Sequence, residues 1–222
     1  MELYEVMRTT FAAREYTGEA LSDKTLYEIL ENARFAPSGG NRQGNRIIVV
    51  RKSETRDQLI KLLEPAAKRY HAQVKAGESP WNTIYPTKVT PEDIEATEAP
   101  TRLMEPYKTA SVLLVVTVDL KVVASTDQHL DRVGIISGAS IYPFVWNILM
   151  AARQAGYGGT ITTLAAAEET YVQKLLRIPS EFAVCAVLPL GKPVKQLTKL
   201  KRLPVEEIAT RERFDGAQFT KP

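Results

Sequence analysis

Residues 134–152 carry no Asp, Glu, Lys or Arg over 19 consecutive positions. This stretch constrains the fold more than any other. A segment of that kind either crosses a membrane, which takes about 20 apolar residues, or is covered by protein on every side. Ser137, Ser140, Pro143 and Asn147 interrupt it, it starts with Gly134, and no basic cluster flanks it. Those features lower its tendency to insert. The segment therefore reads as a helix in the core or at a subunit interface, running to about Gln154 and stopped by Gly156. A surface so apolar must be covered, and a second copy of the chain is the expected cover.

The rest of the chain alternates irregularly between helical and strand patterns. Residues 3–9 read as a short helix. Ser22 is a good N-cap, followed by Leu26, Ile29, Leu30 and Ala33 at helical spacing. Residues 46–51 form an apolar strand pattern. Ser53 opens a helix through Leu59, Leu62 and Leu63, with a bend expected at Pro65. Residues 111–119 read as a central buried strand, 160–163 as a β-rich run, 168–176 as a short helix ended by Pro179, and 182–190 as a further strand. Strands are few and helices many, which predicts a single α+β domain over 1–222: a mixed or antiparallel central sheet flanked by helices, not a doubly wound sheet. Residues 77–106 differ, because Pro80, Pro86, Pro91, Pro100 and Pro106 are mixed with Trp81, Tyr85 and Met104. Aromatics would be wasted in a linker, so this is a structured excursion of the kind that often serves a site.

Bulk properties exclude several classes. The net charge of +3 is scattered and forms no basic arm, so nucleic acid is not an expected partner. The single cysteine, Cys185, forbids an internal disulfide and lies in an apolar strand, where an inert thiol is expected. His71 and His129 have no metal-ligand spacing around them, so no metal is expected. The first residues lack the layout of a signal peptide, which makes the cytoplasm the expected location.

Three segments carry the chemistry. Residues 36–43 contain two glycines that let backbone approach a flat ligand, with Pro37, Ser38, Gly39, Asn41 and Gln43 in sequence and Arg42 adding charge. Arg14 lies in an early turn. Residues 156–160, ending in Gly158, Gly159 and Thr160, follow the apolar helix. Together they suggest a pocket for a planar, phosphate-bearing cofactor. No Gly-x-Gly-x-x-Gly follows a strand, so a Rossmann dinucleotide site is not expected.

The order of these segments resembles the FMN-dependent nitroreductase family, the NAD(P)H-dependent flavin oxidoreductases. Arg14-Glu15-Tyr16 resembles its early Arg-x-Phe turn, residues 36–43 its Ala-Pro-Ser-x-x-Asn-x-Gln loop, residues 147–160 its interface helix and flavin loop, and 190–193 with 202–207 its C-terminal signature. The resemblance implies a nitroreductase-like sandwich and an intertwined homodimer with FMN at the interface. It also implies that residues 192–222 reach the partner subunit. Arg14 would face the pyrimidine edge of the flavin, and Arg202 the phosphate. Thr10-Phe11-Ala12 stand where the family usually has Arg-x-Ser, and Arg8 is the candidate replacement cation. Trp81, Tyr85 and Tyr107 are candidates for the substrate channel. The implied reaction is ping-pong: NADPH or NADH reduces FMN by hydride transfer, and a nitroaromatic, quinone or related small acceptor is then reduced, with no catalytic side chain required. A flavin-consuming or dehalogenating enzyme on the same fold, and a non-catalytic flavin-binding protein, are the alternative expectations.

Overall fold

The central strand runs Val112–Asp119 (β2) and is buried over its whole apolar length. The computed structural model describes all 222 residues. β2 pairs antiparallel with Asn45–Val50 (β1) on one side and with Phe182–Gly191 (β4) on the other. The two-residue strand Gly158–Gly159 (β3) completes the order β1-β2-β4-β3, antiparallel throughout. The helices are α1 (Leu3–Thr9), α2 (Asp23–Ala33), α3 (Glu54–Lys75), α4 (Pro91–Glu95), α5 (Thr101–Thr109), α6 (Tyr142–Gln154), α7 (Leu164–Ala167), α8 (Glu169–Leu176) and α9 (Val205–Ile208).

Strand residues point alternately to opposite faces, and here each face builds its own core. Val112, Leu114, Val116 and Val118 meet Leu26 and Ile29 of α2 and Val145, Ile148 and Leu149 of α6. Leu113 and Val115 meet Leu59 and Leu63 of α3, Tyr107 of α5, Ala165 of α7 and Val172 of α8. The result is a three-layer α+β sandwich, as the sequence pattern predicts. A bulge at Cys185 places one extra residue of β4 opposite the Val116–Thr117 step. Burial pushes the Cys185 thiol up to about 12, so the inert reading of this cysteine matches its setting.

The uncharged segment departs from expectation. Only Tyr142 onward is α-helical; residues 136–140 form a 3-10 helix, and the preceding chain is loop. Pro143 has no N–H to donate and fits the first turn of a helix, so α6 starts there. Val145, Ile148, Leu149 and Ala152 bury one face of α6 in the core, while Tyr142 and Trp146 remain exposed on the other. The loop before it is tied by Asp127, which is buried. Its carboxylate accepts from Ser125 Oγ, Arg132 Nη1 and the backbone N–H groups of Ile135 and Ile136 at 2.7–3.4 Å. The Ile135 N–H leads these contacts in holding the Asp127 carboxyl far below the usual carboxylate range.

Two further differences concern proline. α3 carries Pro65 in its interior and continues to Lys75. Pro65 is on the exposed side, so the lost ladder bond opens toward water, while Ala66 and Ala67 beside it are buried. Pro106 likewise sits inside α5. The 77–106 excursion thus contains α4, with a Thr90–Asp93 capping box, and most of α5. The β-rich run at 160–163 makes only an isolated bridge, Thr162 to Val187.

Candidate cofactor site

The turn bearing Arg14 is stitched to the β3 edge of the sheet. Ala13 N–H donates to Gly159 O at 3.0 Å, Thr17 N–H to Lys192 O at 2.9 Å, and Val194 N–H to Glu15 O at 3.0 Å. The buried Tyr16 hydroxyl lies 2.8 Å from Ala13 O and 2.9 Å from Pro189 O. These bonds fix the turn on both sides and leave the Arg14 side chain free. Its one hydrogen bond is from Nη1 to Ala12 O at 3.3 Å, and it forms no ion pair with Glu15 or Glu19.

Arg14 lies in the wall of a cavity of about 590 Å³, a size typical of small-molecule sites. Thr160, Thr162 and Leu164 form one side, Tyr107 and Pro106 of α5 another, and Tyr70 of α3 with Trp81 a third. Four of the sequence-derived candidates therefore meet: Arg14, Thr160, Trp81 and Tyr107. Arg14 is the only formal charge among the lining residues, and none of them is acidic. Trp81 is held by the Arg69 guanidinium 4.3 Å from its ring centre and by its backbone N–H donating to Gln73 Oε1 at 3.1 Å. Its φ of 57° is a left-handed conformation uncommon for a bulky residue. Tyr85 lies outside this cavity and is exposed.

The loop at 38–43 does not meet that cavity within one chain. Ser38 and Gln43 line a separate small cavity with Arg34, Asn45 and Phe144. The loop is tightly specified: Asn41 has φ 53° and Gln43 φ 51°, both left-handed. Gln43 N–H donates to Ser38 Oγ at 3.0 Å, and Gly39 N–H to Ser140 Oγ at 3.0 Å. Pro37 and Asn41 are exposed, as are the two outlying cations. Arg8 lies in the last turn of α1 with its guanidinium 6.0 Å from the Tyr4 ring centre, and Arg202 donates only to Lys201 O at 2.8 Å.

The glycines of β3 have a packing reason of their own. A Cβ at Gly159 would strike the Leu190 side chain and come within 2.6 Å of Pro189 O; one at Gly158 would lie 2.9 Å from Pro193 Cγ. Close approach to β4 requires them whether or not a ligand passes nearby.

The cavity fits the ring end of a flavin on one observation: an arginine in its wall with no carboxylate partner. It offers no second cation for a phosphate. The sequence reading missed Tyr70, which lies beyond the last helix residues it singled out, and Thr162, which looks like ordinary strand sequence beside Thr160. It also missed Arg56, whose helical pattern gave no sign of burial.

A four-stranded antiparallel sheet between two helical layers, with this cavity beside β3, is the nitroreductase fold. The chain belongs to the nitroreductase family of flavoprotein oxidoreductases, whose family model matches residues 7–192. Solved structures agree on the fold. A BluB-like flavoprotein from Clostridium difficile 630 is 20% identical, with a TM-score of 0.69 over 96% of this chain and 100% of that one. Nitroreductase A from Vibrio parahaemolyticus RIMD 2210633 is 18% identical, with a TM-score of 0.67 over 97% and 77%. Oxidised iodotyrosine deiodinase bound to FMN and 3-iodo-L-tyrosine is 21% identical, with a TM-score of 0.65 over 96% and 99%.

Proposed function

We propose that this chain is an FMN-dependent oxidoreductase that uses NADPH or NADH to reduce a small acceptor of the nitroaromatic or quinone type. The carrying observation is Arg14: a guanidinium fixed by the β3 edge, without an anion of its own, in the wall of a ligand-sized cavity. Bound FMN supplies hydride-accepting and hydride-donating chemistry. Arg14 holds positive charge where the reduced ring becomes electron-rich. Thr160 and its neighbours bound the ring from the β3 side. Pro80, Trp81, Leu103 and Pro106 from the 77–106 excursion wall the acceptor channel and exclude water.

The reading includes a homodimer, with Ser38, Asn41 and Gln43 completing the partner's site. Three features support it: the separate location of that loop, the exposed Tyr142 and Trp146 on α6, and a groove of about 570 Å³ lined by Leu3, Ile29 and Met150 among others. Residues 192–222 act as an arm over the partner, and their exposed Leu203, Val205, Ile208, Phe214 and Phe219 support that role. Arg8 or Arg202 meets the phosphate in the assembled dimer. No helix is long and apolar enough to cross a membrane, and a cytoplasmic location goes with the reading.

The test is an absorption spectrum of the purified protein before and after anaerobic NADPH or NADH. Flavin bands that bleach on addition, and return with a nitroaromatic or quinone, are expected. Protein that stays colourless and takes up no added FMN would refute the proposal; bound flavin that neither nucleotide bleaches would refute the enzymatic part.

A further inference from the structure

We infer that Trp81, pinned by Arg69, is the plate on which the electron acceptor stacks, and that the acceptor is a planar aromatic ring without a charge of its own. The inference rests on the FMN reading above and deepens it, giving the acceptor a shape and assigning it two residues of this chain.

Trp81 has φ 57°, a conformation that a bulky side chain keeps only where its surroundings force it. Those surroundings are explicit. Its backbone N–H donates to Oε1 of Gln73 at 3.1 Å, and Gln73 is buried. The next residue, Asn82, accepts on its side-chain oxygen from the N–H groups of Ile84 and Tyr85 at 2.8 and 2.9 Å. Glu78 closes the base of the loop, its carboxylate accepting from Thr87 Oγ1 at 2.6 Å and from Lys88 N–H at 2.7 Å. A loop tied at so many points holds Trp81 in place before a ligand arrives, which lowers the ordering cost of binding.

The indole held in this way is used on two sides. One face lies under the guanidinium of Arg69, 4.3 Å from the ring centre. Arg69 forms no ion pair, and its buried Nε has no hydrogen-bond partner, so the indole face is the contact on which this cation rests. The remaining indole surface belongs to the wall of the cavity of about 590 Å³, beside Tyr70, Pro80, Leu103 and Pro106, and Trp81 keeps 38% of its surface open. That wall holds no acid, and its one cation, Arg14, serves the flavin in this reading. An acceptor that enters is therefore met by flat apolar surface and not by a charge. Offset stacking on an electron-rich indole favours a ring with electron-poor faces, which nitro groups and quinone carbonyls produce. Arg69 acts through Trp81: it is a positioning residue that keeps the indole flat in the wall.

The test uses the full chain with FMN bound, reduced anaerobically with dithionite and mixed with acceptor by stopped flow. Nitrobenzene is the planar probe and ferricyanide the probe without a ring. The half-saturating concentration and the limiting rate are read for each. Trp81→Leu should raise the nitrobenzene half-saturation about tenfold relative to that of ferricyanide, and Trp81→Phe, which keeps a ring, should recover much of the loss. Arg69→Met should raise it about threefold with the limiting rate retained, and Arg69→Lys, whose ammonium can also sit over the indole, should restore part. In the wild type, benzamide should inhibit reoxidation by nitrobenzene at lower concentration than cyclohexanecarboxamide, a ring of similar size that is not flat. The inference is overturned if Trp81→Leu leaves the ratio of the two half-saturations unchanged, if Arg69→Met lowers the limiting rate and not the affinity, or if the wild type holds cyclohexanecarboxamide as tightly as benzamide. Wild-type protein that takes up no FMN would overturn the FMN reading and this inference together, before any acceptor is added.

Discussion

Arg56 is the most consequential residue that carries no site chemistry. It is 2% exposed, has no carboxylate partner, and donates from Nε and Nη2 to Tyr107 O and from Nη2 to Ala110 O. These carbonyls close the last turn of α5, where a helix leaves acceptors unsatisfied and favours a cation. Arg56→Met would keep much of the apolar volume and remove three charge-assisted bonds. Each such bond is worth roughly 1.5–3 kcal/mol gross, but burying the guanidinium has its own cost, and Nη1 remains unpartnered. Two buried carbonyls left behind at roughly 1–3 kcal/mol each set the net. The expected loss is therefore about 3 kcal/mol, or about 6–12 °C in Tm for a chain of this size. Urea unfolding by circular dichroism reads the first and a thermal scan the second. Arg56→Lys should recover less than half, because one ammonium cannot span both oxygens as a fork does. Arg56→Met within about 0.5 kcal/mol of wild type would show that the bonds only offset desolvation, and the reasoning would fail.

Trp146→Glu should convert the proposed dimer to a 24.7 kDa monomer by analytical sedimentation, since Trp146 is 39% exposed on the outer face of α6; a dimer of wild-type strength would remove that face from the interface. Ile148→Glu, on the same helix, should unfold the chain instead, because Ile148 is buried in the subunit's own core. Asp127 is depressed in the folded state, so its contribution is present above about pH 4 and is lost as pH falls through its folded value. Amide protection of Ile135, measured by hydrogen exchange, should therefore weaken in acid, and Asp127→Asn should lose it at neutral pH; an unchanged rate in the variant would contradict the role given to the carboxylate.

The layers were legible because burial wrote them into the sequence. The run Val112–Val116 reads as a strand covered on both faces, and Ser22 marks the start of α2, its Oγ accepting from Thr25 N–H at 3.1 Å. The helix at 134–141 was misread because hydrophobicity reports covering, not conformation; Pro143 and Gly138 were the better guides. Pro65 is tolerated inside α3 because it lies on the side of the helix that faces water. Arg14 was legible from its resemblance. Its neighbour Tyr70 reaches the cavity only through tertiary placement of α3, which no local pattern encodes. Asp127 and Arg56 look like ordinary surface charges in sequence, because their partners are backbone groups that sequence does not display.

The order β1-β2-β4-β3 has a consequence for synthesis on the ribosome. β2 can pair with β1 once residue 119 has emerged, but its other edge and much of both cores wait for Phe182–Gly191. For some 60 residues of translation, a nascent chain carries Val112–Val118, an apolar and β-prone run, with one open edge. Such a chain is a natural client for chaperones that bind extended apolar segments. A message truncated before codon 182 would yield insoluble protein, whereas one ending after 191 would still encode the whole sheet.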